Sequence, residues 1–99
     1  MAKAGPINRE SAENLAISAL AFLAGDPERL GRFLSLTGIG PEAIRKAATE
    51  PAFLAGVLDH VVSDERLLTA VAAHAGVSPL TIERAQAVLS GRPWEREVP

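Results

Sequence analysis

Residues 36–47, LTGIGPEAIRKA, bring two glycines, a proline and two cations together at a spacing that could capture a phosphate. Gly38 and Gly40 let the chain turn sharply between two helices. The amides from Gly38 to Glu42 then point outward, and the dipole of the helix opening at Pro41 adds positive potential. Arg29, Arg32, Arg45 and Lys46 lie within reach in sequence and could hold further phosphates. Glu42 works against this, because it sets a carboxylate where the anion would sit. The same residues also build a plain structural corner. Gly38 can take the left-handed conformation after a helix, Ile39 can fold back, and Pro41 can start the next helix without losing a needed N–H.

Other chemistry is thinly supported. His60 and His74 are the two histidines, with Asp59, Asp64 and Glu65 near the first. No His-x-x-x-His or Glu-x-x-His spacing sets two metal ligands on one helical face, so the expected metal set is none. Ser18, Ser35, Ser63, Ser78 and Ser90 have no base at a catalytic spacing, and Ser63 and Ser78 read as helix caps. The Asp64-Glu65 and Asp26/Glu28 carboxylates fall in first helical turns, where negative charge is stabilising by about 0.3–1 kcal/mol. No catalytic residue, cofactor site or enzymatic activity is expected. Trp94 is the one tryptophan, set in the polar stretch RPWEREVP. It either folds back onto the core or waits for a partner, and it is the candidate partner contact.

Ninety-nine residues suit one domain with one core. The chain is 47% hydrophobic yet only 4% aromatic, with scattered β-branched residues, which favours helices packed through Ala and Leu. A net charge of -2 supplies no general attraction to nucleic acid or anionic membrane, so any such binding must be local. With no cysteine there is no disulfide, thiolate or Cys-ligated metal. The uncharged run Leu15 to Gly25 has Glu10 and Glu13 where a signal peptide needs a basic flank. The run Leu67 to Ile82 is broken by Gly76 and Pro79 and falls short of the ~20 apolar residues that span a bilayer. A cytoplasmic location away from membranes is the expectation.

Apolar spacing divides the chain into a flexible leader over 1–10, a single helical domain over 11–91 and a polar tail over 92–99. The fold class is all-α, a compact bundle of about six short helices. Leu15, Ala16, Ala19, Leu20 and Leu23 mark the first helix. Asp26-Pro27 opens the second, which carries Leu30, Phe33 and Leu34 to Gly38. A third helix is expected from about Pro41 to Ala48. Phe53, Leu54, Val57, Leu58, Val61 and Val62 predict the most buried helix, Ser63 or Asp64 caps the fifth, and Ser78-Pro79 opens the sixth. Shifting the chain by 38 residues pairs Leu20 with Leu58, Asp26 with Asp64, Leu30 with Leu68, Gly38 with Gly76, Pro41 with Pro79, Ile44 with Ile82 and Ala47 with Ala85. These matches sit on caps, corners and inward positions, which suggests two related three-helix units packed around one core.

Gly38-Ile39-Gly40, with Ala43 and Ile44, resembles the helix-hairpin-helix motif. That resemblance implies phosphate contact through Gly38 and Gly40, with Arg45 and Lys46 beside them. The paired corner, Gly76-Val77-Ser78-Pro79, lacks the second glycine and has only His74, Glu83 and Arg84 around it. Nucleic acid is therefore possible but disfavoured as a partner. Across AFLAGDPERLGRFLSLTGIGPEAIR, PAFLAGVLDHVVSDERLL and GVSPLTIERA the chain resembles a bacterial family known only as a domain of unknown function. The resemblance implies a small bacterial helical protein and carries over no activity, cofactor or catalytic residue. The functional expectation is a non-enzymatic interaction module that binds a protein partner or itself, with weak sequence-independent DNA binding as the alternative.

Overall fold

The computed structural model describes residues 7–91. Among these residues six α-helices succeed one another: α1 Arg9–Ala24, α2 Pro27–Thr37, α3 Ile44–Ala47, α4 Pro51–Val62, α5 Glu65–Ala75 and α6 Pro79–Leu89, with a 3-10 turn at Pro41–Ala43 ahead of α3. No strand occurs among the described residues. No helix there is long and apolar enough to cross a membrane.

Each boundary has a local cause. Asn8 accepts from the Ser11 amide at 2.7 Å and caps α1, so Arg9 and Glu10, assigned to the leader from sequence, form its first turn. Asp26 and Asp64 cap α2 and α5 through the same pair of bonds, each accepting two first-turn amides, with backbone angles of -129°/100° and -130°/110°. Of the two residues considered for the α5 cap, Asp64 is the one that performs it. Gly38 and Gly76 end α2 and α5 at φ 75° and 74°. In that left-handed region a Cβ is strained by ~1–2 kcal/mol.

The core is built mainly from α1, α4, α5 and α6, with α1, α4 and α6 forming the most extensive mutual contacts. α4 contributes Val57, Leu58 and Val61, all fully buried; its stripe predicts the most buried helix, a place it shares with α6. Each such side chain is worth roughly 1.5–3 kcal/mol of burial. Ala12, Ala16 and Ala19 of α1 and Ala85 of α6 have no exposed surface. α2 packs chiefly on α1, and Phe33 is its one fully buried residue. The 3-10 turn and α3 pack chiefly on each other and stand at the periphery.

The single helix expected from Pro41 to Ala48 is therefore a 3-10 turn leading into a four-residue α3. Gly40 has no side chain with which to cap it, whereas Ser78, at the paired corner, accepts from the Thr81 amide at 3.2 Å and starts the eleven-residue α6. The paired caps and corners match in geometry, but α6 is central and α3 is not.

Gly38→Ala and Gly76→Ala are each expected to lose ~1–2 kcal/mol in urea unfolding. Gly31→Ala, in the exposed interior of α2 with open space around it, should gain ~0.5–1 kcal/mol.

Candidate functional site

The corner between α2 and α3 spends most of its amides internally. The Gly38 N–H donates to the Leu34 carbonyl at 2.8 Å, the Ile39 N–H to Thr37 Oγ1 at 3.3 Å and the Ala43 N–H to the Gly40 carbonyl at 3.0 Å. Pro41 has none to offer. Among the described residues, Gly40 and Glu42 keep the only unpartnered amides of this corner. The Glu42 carboxylate folds back against Gly40, where a Cβ would lie 2.6 Å from Glu42 Oε2. A side chain of like charge thus stands at the corner that a phosphate would have to approach.

The cations expected around the corner do not converge. Arg45 opens onto a hollow shared with Pro41, Glu42 and Ile44. Lys46 borders a shallow groove of ≈ 230 Å³ with Ile39, Ala43, Ala47 and Glu50. Arg29 and Arg32 line a third cleft, of ≈ 280 Å³, between the heads of α2 and α5, together with Arg66, Asp26, Glu28 and Asp64. Arg29 is already paired there with Asp26 at 3.2 Å. Each group of cations therefore faces at least one carboxylate, and no basic face forms among them.

The two histidines serve packing. His60 lies against Phe33, with ring centroids 5.1 Å apart, and His74 against Phe22 at 5.3 Å. His60 is half-buried, and His74 is exposed although its ring meets Phe22. Burial holds the His60 imidazole below its ordinary pKa of 6.5, Asp64 pulls it back up, and Arg32 pushes it further down. No group of three His, Cys, Asp or Glu side chains that could hold a metal ion occurs among the described residues. Trp94 lies outside the described residues.

One buried polar residue escaped the sequence pattern. Gln86 is buried at 8% exposure, its Nε2 donating to Asp59 Oδ1 on α4 and to Ser90 Oγ at 3.1 Å. It stands four residues after Ile82, an inward position, and that spacing is the signal for it. Leu36, near the end of α2, is 71% exposed.

A family model matches residues 9–92, described as a protein of unknown function (DUF3572). The chain belongs to that family. Its span starts at the first residue of α1 and ends just past α6, so the DUF3572 unit and the six-helix domain coincide. No curated protein and no solved structure matches the chain. The helix-hairpin-helix likeness stays a local one in this DUF3572 protein, because its corner leads into a 3-10 turn and a single helical turn.

Gly40 has backbone angles of -78°/156°, nearly those of the capping Ser78 at -81°/157°. Gly40→Ser should therefore supply the missing cap, with the flexible end of Glu42 swinging aside. The expected gain is up to ~1 kcal/mol, a melting rise of ~4–8 °C. A lower melting temperature would show that the Glu42 carboxylate cannot leave Gly40.

Proposed function

We propose that this DUF3572 domain is a non-enzymatic interaction module of a bacterial cell that binds a protein partner or a second copy of itself, in the cytoplasm that the flanks and breaks of its apolar runs suggest. The observation that carries the reading is at the end of α2. Leu36 stands 71% exposed three residues before Ile39, and Ile39, Ala43 and Ala47 line a groove with Lys46 and Glu50 beside it. Apolar residues bordered by charges of both signs are the composition of a small protein contact. Several groups that could have signalled catalysis have structural employment instead. Asp26 and Asp64 cap helices, Ser63 donates to the His60 carbonyl at 2.8 Å, and both histidines lie on phenylalanine rings.

DNA binding through Gly38, Gly40, Arg45 and Lys46 ranks behind this reading, because the Glu42 carboxylate lies against Gly40 and the cations face separate hollows.

A photo-crosslinking amino acid at position 36, in the protein expressed at native level, should form a discrete adduct with one protein or with a second copy. The same group at the exposed position 69 should form none. Leu36→Ser should leave stability within ~0.5 kcal/mol while weakening the partner interaction. Equal, diffuse labelling from both positions would contradict the assignment.

A further inference from the structure

The attachment of α2 is unlike that of the other long helices. Phe33 is its one fully buried side chain, at 1% exposure, while Leu30 and Leu34 are half-buried. The Phe33 ring enters a slot on α4 between Phe53 and His60, with centroid distances of 5.8 and 5.1 Å. One wall of the slot that receives this anchor is therefore a titratable ring.

We propose that His60 and Phe33 form a pH-sensitive latch: the neutral imidazole beside the Phe33 ring holds α2 on the core, and its protonation releases α2 while α1, α4, α5 and α6 stay folded.

The charges around the slot set the direction. From α2 itself, Arg32 precedes Phe33 and presents a guanidinium to His60; from the head of α5, Asp64 presents a carboxylate. On α4, the neighbouring Asp59 is engaged by Gln86 of α6. While α2 is docked, burial and Arg32 both oppose an imidazolium and only Asp64 favours one, with burial the strongest of the three. When α2 swings out it takes Arg32 and the covering ring with it, and His60 meets water. The open form therefore binds the proton more tightly than the docked form. Because the docked pKa lies below 6.5, the docked form has its full advantage above pH 6.5 and loses it as the pH falls through 6.5 toward the docked value. The helices left behind retain the α1–α4–α6 contacts, which do not involve α2.

The test is amide hydrogen exchange on the full chain between pH 7.5 and 5.5, corrected for intrinsic exchange. The expected result is a several-fold loss of protection at the Leu30 to Leu34 amides on acidification, with α4 and α6 unchanged. His60→Gln should abolish the pH dependence. Arg32→Gln should shrink it and raise the His60 titration midpoint read by NMR, and His74→Gln should leave it intact. Four results would each overturn the latch: α2 protection flat with pH, protection rising on acidification because imidazolium and ring attract, loss spread equally over α4 and α6, or pH dependence surviving in His60→Gln.

Discussion

The structure depends on how closely α1, α4 and α6 can approach, and alanine sets that approach. Ala12, Ala16 and Ala19 present a single carbon each along one face of α1, and Ala85 does the same on α6; none has exposed surface. With side chains this small, α1 comes close enough for Val57, Leu58 and Val61 of α4 and Ile82 of α6 to fill the space between the helices. Interiors pack at near-crystalline density, so a larger residue at any of these positions must displace a neighbour. A chain with so few aromatic residues reaches a buried apolar core in this way, through small residues at the seams and branched ones between them. The remaining elements are placed relative to this seam: α5 closes one side, and α2 attaches through Phe33.

Two closely similar corners lead to different outcomes because of two side chains. At the end of α5, Gly76 and Val77 donate to Ala73 and Ala72, which closes the helix with both reversal bonds. At the end of α2, Gly38 donates to Leu34, but the Ile39 amide turns to Thr37 Oγ1, a hydroxyl that Ala75 lacks at the paired site. The chain then meets Gly40 where the other corner has Ser78. The hydroxyl redirects one bond and the glycine leaves the next helix uncapped, so a 3-10 turn and a short α3 stand where α6 stands in the other half. This leaves α2 and α3 as the lightly held part of the molecule, and both the exposed Leu36 and the Phe33 anchor lie there.

Much of this fold was legible in the sequence because its signals were local. Asp26, Asp64, Gly38, Gly76 and the helix-opening prolines mark ends by chemistry that acts within four residues, and the Phe53 to Val62 stripe names its own buried face. The α3 segment misleads because Pro41 and the apolar Ile44 and Ala47 fit a helix, while the missing cap at Gly40 is a weak signal by itself. The family resemblance was also legible, and a family model over residues 9–92 bears it out. The candidate site was less so. Which cations share a surface depends on helix rotation, and sequence proximity groups Arg29, Arg32, Arg45 and Lys46 although the fold sends them to three different hollows. Glu42 is recognisable from sequence as an obstacle to phosphate, but that its carboxylate folds back against Gly40 is a matter of side-chain geometry.

The alanine seam is tested most directly by the unfolding free energy of Ala16→Leu against Ala21→Leu, its exposed neighbour on the same helix. Both keep helix propensity high, so the difference isolates packing. The seam predicts a loss of ~1–3 kcal/mol for Ala16→Leu and a change within ~0.5 kcal/mol for Ala21→Leu. Equal, small effects at both positions would contradict it, showing that α1 can move away from α4 and α6 without cost.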